Sequence, residues 1–159
     1  NLAMVRQPRP AFSFYDAEFP IFTRARFLPP SKILHSQNED AMVCDGCIIK
    51  SSRIKNSIIG IRSRLEEGSS LENTLLFGAD YYQSETERAA DIAAGRPPVG
   101  IGEHTQIKNA IIDKNARIGR NVKIINKAKV ENVEREGYWI RSGIVVVMKD
   151  AVIPDGTVI

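Results

Sequence analysis

Aliphatic residues recur at every sixth position in three stretches of the chain: Ile59, Leu65 and Leu71; Ile101 and Ile107, then after an offset Ile112, Ile118 and Ile124; and Val147, Ile153 and Ile159. That period matches neither the 3.6-residue turn of a helix nor the two-residue alternation of a strand. A fixed short repeat has to be explained before any other feature. Several units follow the aliphatic residue with turn formers, as in Ile101-Gly102-Glu103, Ile118-Gly119-Arg120-Asn121 and Ile153-Pro154-Asp155-Gly156. Each unit therefore reads as a short strand plus a corner, with one inward side chain stacking on its counterpart a rung away, about 4.8 Å along the axis. Gly, Asn and Asp supply the corner conformations that β-branched residues resist. The pattern predicts an all-β chain coiled as a parallel β-helix. In the hexapeptide class that coil is left-handed, against the usual crossover rule, with three hexads per coil.

The pattern fails in three places. Residues 1–32 hold Pro8, Pro10, Pro20, Pro29 and Pro30 together with Phe12, Phe14, Phe19, Phe22, Phe27 and Tyr15. Proline imposes an extended path, and aromatic side chains at this density call for a surface to cover them. The segment reads as an interdomain strap, or as a lid over the first coil, with residues 33–159 as the coil domain. The second failure follows the first coil block (residues 36–77), at Gly78-Ala79-Asp80-Tyr81-Tyr82. There Ser84-Glu85-Thr86-Glu87 forms a capping box for a short helix carrying Ala89, Ala90, Ile92 and Ala93. Gly95 and Pro97-Pro98 end that helix. Rungs resume at Val99 or Ile101. The third is a charged stretch without clear period, residues 126–138, before Trp139 to Ile144 lead into the last coil.

Composition narrows the classes. The 159 residues are 43% apolar, enough for one core, and carry a formal charge of +3 spread along the chain. That excess predicts no nucleic-acid partner and leaves small anions open. No stretch approaches the roughly 20 apolar residues of a membrane span, and no secretory pattern opens the chain; its start at Asn1 reads as an interior cut. Cys44 and Cys47 are the only cysteines. They could form a redox pair or half a zinc site, but their place in the rung Val43-Cys44-Asp45-Gly46-Cys47-Ile48 makes Cys47 a small core residue. Two cysteines fit a reducing compartment.

Candidate chemistry is sparse. With only His35 and His104, a zinc site needing three histidines is out of reach, and an acyltransferase on this fold would have His104 as its base. A corner histidine facing solvent is the simpler account. No phosphate loop, nucleophile triad or acid pair is evident. The cations are more suggestive: Lys149 follows the stiff strand Ile144-Val145-Val146-Val147, Lys114 sits in Ile111-Ile112-Asp113-Lys114-Asn115-Ala116, and Arg24 and Arg26 lie between the strap prolines. Converging Lys and Arg side chains are what a phosphate or carboxylate requires. Sequence alone leaves their convergence open, and Asp113 beside Lys114 also reads as a solvated corner.

Six motifs in order then point further: Phe12-Ser13-Phe14-Tyr15-Asp16, Arg26-Phe27-Leu28-Pro29-Pro30-Ser31-Lys32, Gly78-Ala79-Asp80-Tyr81-Tyr82, Ile111-Ile112-Asp113-Lys114-Asn115-Ala116, Ile124-Ile125-Asn126-Lys127 and Ile140-Arg141-Ser142-Gly143-Ile144. Together they closely resemble the C-terminal part of the ADP-glucose pyrophosphorylase (glucose-1-phosphate adenylyltransferase) family, most of all its cyanobacterial and plant branch. The resemblance implies a left-handed β-helix that joins subunits into tetramers. It also implies a shared site for the activator 3-phosphoglycerate and the inhibitor phosphate. Lys149 then matches the C-terminal activator lysine, Lys114 the second effector lysine, and Arg26 a strap arginine; Arg24 and Asp113 join the expected site. A catalytic nucleotidyltransferase domain, which uses Mg2+ and ATP, is expected upstream of Asn1. No cofactor or catalytic residue is expected in the chain itself. The location implied is a bacterial cytoplasm or a plastid. The departures are Arg24 where plant small subunits have Gln, Cys44 in place of Gly, and a slightly shorter second excursion. They leave effector identity open.

Overall fold

The computed structural model describes residues 2–6 and 13–159; Asn1, Pro8, Pro10 and Phe12 of the expected strap lie outside the described residues. In chain order a helical turn α1 (Ala3–Arg6) precedes β1 (Lys32–Leu34), β2 (Gln37–Val43), β3 (Ile48–Lys50), β4 (Arg53–Ile59), β5 (Arg64–Leu65) and β6 (Ser70–Leu76). Helix α2 (Glu85–Ala93) follows. Then come β7 (Gly100–Ile101), β8 (Gln106–Ile112), β9 (Arg117–Ile118), β10 (Lys123–Ile124), β11 (Asn132–Arg135), β12 (Tyr138–Arg141), β13 (Ile144–Val147) and β14 (Val152–Ile153). One parallel sheet runs β1-β3-β5-β7-β9-β14. The other holds β2, β4, β6 and β8, whose long strands bend to form two sides of the coil, and is completed by β10 to β13.

Strand register turns the aliphatic repeat into three columns. Ile49, Leu65, Ile101, Ile118 and Ile153 stack on one side. Ile54, Leu71, Ile107 and Ile124 stack on the second. Ile59, Leu76, Ile112 and Val147 stack on the third. All are at most 4% exposed, and full burial of each such side chain stabilises by about 1.5–3 kcal/mol.

The expectation of three hexads per coil needs correction. Ile54 pairs with Leu71 and Ile107 with Ile124, a coil of 17 residues, and the first coil is one residue shorter, since Asn38 pairs with Ile54. The short side is the one crossed by β4, β6 and β8. There a single residue in the left-handed region turns the strand without ending it: Asn56 (φ 43°), Asn73 (φ 50°) and Asn109 (φ 52°). Asparagine tolerates this conformation, and the amides cross-link the corners. Asn56 Nδ2 donates to Asn73 Oδ1 at 2.6 Å, and Asn73 Nδ2 to Asn109 Oδ1 at 3.1 Å. Asn56 Oδ1 is left as the one buried side-chain polar atom without a partner among the described residues. The residue a rung below is Asp40, whose carboxylate has no N–H to offer.

Both excursions leave the stack at corners. Ser84 caps α2 through the expected capping box. The apolar residues of this helix nevertheless face solvent, Ile92 at 59% exposure, and its buried residue is Asp91. The second excursion also differs from the reading of an unpatterned stretch. It contains β11, which pairs antiparallel with β12 through Asn132–Arg141 and Arg135–Tyr138, and β12 in turn pairs antiparallel with β13. Ile140 is buried at 3% and Val133 packs on the core, so this hairpin extends the third side of the stack beyond β13.

Candidate functional site

One corner of the coil, between the third side and the first, gathers the expected lysines. Successive turns at residues 44–47, 60–63, 77–80, 113–116 and 148–151 lie one above another. Arg62 N–H donates to Asp45 O at 3.1 Å, Ala79 N–H to Ile61 O at 2.9 Å, Asn115 N–H to Gly78 O at 3.0 Å, and Asp150 N–H to Lys114 O at 2.9 Å. Lys114 and Lys149 thus occupy equivalent places on adjacent coils, each just before a left-handed corner residue, Asn115 (φ 60°) and Asp150 (φ 59°).

The two ammonium groups converge on Asp80. Lys114 Nζ lies 2.8 Å from Asp80 Oδ1 and Lys149 Nζ lies 3.1 Å from Asp80 Oδ2. Asn115, 6% exposed, organises the corner: its Nδ2 donates to Asp80 Oδ2 (3.2 Å) and Asp150 Oδ1 (2.9 Å), while its Oδ1 accepts from Asp80 N–H (2.7 Å). Hydrogen bonds from Lys114 and then Lys149 hold the Asp80 carboxyl well below the usual carboxylate range, and Asp80 raises Lys149 in return. Asp113 points its carboxylate elsewhere, accepting the Lys114 N–H at 2.7 Å. Asp80 stood inside a quoted motif but was not among the expected site residues, because only the coil register reveals that residues 80, 114 and 149 share a corner.

The strap joins the coil at the base of this column. Ser31 Oγ donates to Cys44 O and accepts Cys47 N–H (3.1 Å), and Lys32 N–H donates to Cys47 O (2.8 Å). Cys47 is buried and Cys44 exposed, both free thiols. Gly46 takes φ +75°, and a side chain there would strike the Tyr82 hydroxyl, which donates to Gly46 O at 2.9 Å. Further out, Arg24 and Arg26 are exposed, with Arg26 Nη1 donating to Arg24 O at 3.3 Å. No hydrogen bond or ion pair joins either arginine to the lysine corner among the described residues. The strap aromatics are bare: Tyr15 is 86%, Phe22 90% and Phe27 101% exposed. They form no lid on the first coil.

A second charged region lies where α2 meets the first side of the coil, bordering a groove of about 380 Å³. Glu66 accepts from Arg64 (2.7 Å), Arg88 (2.7 Å) and Lys50 (3.1 Å), and Arg64 also reaches Glu85 at 3.1 Å. Asp91 accepts from Arg117 (2.6 Å), Gln83 (2.6 Å) and Arg96 Nε (2.8 Å). Five cations meet three carboxylates here, and the ion pairs fasten the helix to the coil. His104 and His35 are exposed corner residues at φ 55° and 48°. No cluster of three His, Cys, Asp or Glu side chains suited to a metal occurs among the described residues. No helix among them is long and apolar enough to cross a membrane.

Parallel rungs, single-residue left-handed corners and chemistry confined to those corners define a parallel β-helix domain. Residues 26–158 match the family model described as the GLGC left-handed parallel beta-helix domain, and the chain belongs to that family, the C-terminal domain of ADP-glucose pyrophosphorylase.

Proposed function

We propose that the chain is the regulatory and oligomerisation domain of a glucose-1-phosphate adenylyltransferase. That enzyme makes ADP-glucose and pyrophosphate from ATP and glucose 1-phosphate, with Mg2+, for glycogen or starch synthesis in a bacterial cytoplasm or a plastid. In this reading the domain binds 3-phosphoglycerate and phosphate and relays their occupancy to a catalytic nucleotidyltransferase domain and to the other subunits of a tetramer. The observation that carries it is the convergence of Lys114 and Lys149, from adjacent coils, on a single carboxylate. Two ammonium groups within about 3 Å of one oxyanion already have the geometry a bound phosphate or carboxylate needs.

Charge counting says what else is required. Three carboxylates (Asp80, Asp113 and Asp150) accompany the two lysines at this corner, so the lysines alone give no surplus for a free anion. The strap arginines are the natural complement. Arg26 lies five residues before Ser31, and five extended residues span about 17 Å. The three rungs separating the Cys44 corner from the Lys114 corner measure about 14 Å. Arg26 can therefore reach the lysines when a neighbouring domain guides the strap, and the exposed Phe and Tyr side chains of the strap suit such a surface.

Titrating 3-phosphoglycerate and phosphate into assays of the intact enzyme tests this. Replacing Lys149 by Gln moves the half-effect concentration upward by about tenfold, the equivalent of one charged hydrogen bond. Identical effector curves for wild type and variant reject the site. The excess of carboxylates favours a second reading, an assembly domain without effector binding. Absence of phosphate binding by the intact protein would select it.

A further inference from the structure

The counter-ion of the lysine pair stands at the last residue of a coil corner, where the chain turns out into the first excursion. Asp80 stands at the start of the first excursion, two residues after Gly78 (φ +88°), where the chain leaves the third side of the stack. Its carboxylate nevertheless takes donors from both coils above: Lys114 Nζ, Lys149 Nζ and Asn115 Nδ2. The geometry is that of an oxyanion receptor already filled by a tethered oxyanion. The Asp80, Lys114 and Lys149 side chains are 38%, 35% and 52% exposed, so exchange with a dissolved anion opens no part of the core.

We infer that Asp80 is an internal occupant of the anion site: a free oxyanion enters only as the Asp80 carboxylate leaves, and its departure loosens residues 78–83, which lead into α2. The inference rests on the reading of Lys114 and Lys149 as effector-binding groups. Its physical basis is competition. A phosphate on both lysines with Asp80 still in place would press like charges together at hydrogen-bond distance. The tether gives Asp80 a high effective concentration, so a free anion sees only the fraction of molecules in which the carboxylate is out. The rest of the excursion is held in a way that transmits the release. Its helix buries only Asp91 and is fastened by the Arg64–Glu85, Arg88–Glu66 and Arg117–Asp91 ion pairs rather than by apolar contacts. Once the Asp80 carboxylate swings out, residues 78–83 keep the Ala79 N–H bond to Ile61 O, the Arg62 guanidinium on Ala79 O and over the Tyr82 ring, and the Tyr82 hydroxyl bond to Gly46 O. They also keep the Asn115 bonds to Gly78 O and Asp80 N–H, so the release loses the ties to the two lysines and to Asn115 Nδ2.

Isothermal titration of inorganic phosphate into the intact protein, at fixed ionic strength, tests the competition with Asp80→Asn. Asparagine keeps the shape and the backbone bond to Asn115 and removes the charge. Phosphate is expected to bind this variant about fivefold to tenfold more tightly than wild type, the factor set by a solvent-exposed latch. Equal or weaker binding, alongside weakened binding by Lys149→Gln, overturns the occupant role and leaves the lysine site standing. Unchanged binding by both Lys114→Gln and Lys149→Gln removes the site and the inference with it. Hydrogen exchange in the wild-type protein needs no variant: added phosphate is expected to speed exchange of amides at residues 79–84, and unchanged or slowed exchange there overturns the inference.

Discussion

The coil body and the first excursion are made from the same chain by opposite means. In the coil, each turn contributes inward aliphatic side chains to three columns buried to a few per cent, and the backbone hydrogen bonds run rung to rung. In the excursion, the apolar residues of α2 point outward and the contacts are ion pairs with Glu66, Arg64 and Arg117. Apolar stacking gives a rigid frame that is insensitive to salt. Charge pairing gives an attachment whose strength depends on ions in solution. Under the regulatory reading proposed above, the frame fixes the lysines in place and the charge-held excursion is the element that a bound anion would move.

The contrast can be broken most directly in the core. Leu71→Ala opens a cavity inside the second column and should cost about 2–5 kcal/mol in denaturant unfolding; a loss below about 1 kcal/mol would mean that the columns do not carry the fold. The Lys149→Gln shift of about tenfold in effector concentration comes next, and should leave the unfolding midpoint of the coil where it was. Acid sharpens the comparison further. Hydrogen bonds from Lys114 and Lys149 depress Asp80, and those from Arg117, Arg96 and Gln83 depress Asp91. A depressed carboxyl contributes stability that is complete above its unfolded value, about 3.9, and is lost as pH falls through its folded value. Protection of residues 78–99 against proteolysis should therefore persist from pH 7 to about 4 and fail only below. Loosening already near pH 6 would show that other groups hold the excursion. The smallest effect belongs to Ile92→Ser, expected within about 0.5 kcal/mol of wild type by thermal unfolding; a larger loss would mean that α2 docks through its apolar face.

Much of this frame can be read from residue order. The sixfold aliphatic spacing predicts the columns, and Ser84 with Glu87 predicts the start of α2. The five-residue side is harder to see: Asn56, Asn73 and Asn109 turn the corner with one residue each, which leaves no Gly or Pro to mark it. The hairpin was hidden by charge. Val133 and Ile140 face inward, but Glu131, Glu134, Arg135 and Glu136 surround the alternation, and the clue was the two-residue link Glu136-Gly137, with Gly137 at φ +79°. At the site, the lysines were legible as rigidly held cations. Asp80 was not, because 34 residues and an intervening helix separate it from Lys114, and only the stacked corners bring them together.

The reversed strand beyond β13 has a consequence for how that side of the coil meets other chains. A parallel coil whose last rung is bare is a template, with every unpaired N–H and C=O inviting another chain to add in register. Here β12 runs antiparallel over β13, and beyond it β11 exposes Glu134 and Arg135 on a short outer edge. A strand arriving in the direction of the coils meets the wrong polarity and a row of charges. The hairpin thus blocks in-register addition on the third side of the coil, whereas β14 stays the outermost strand of the other sheet.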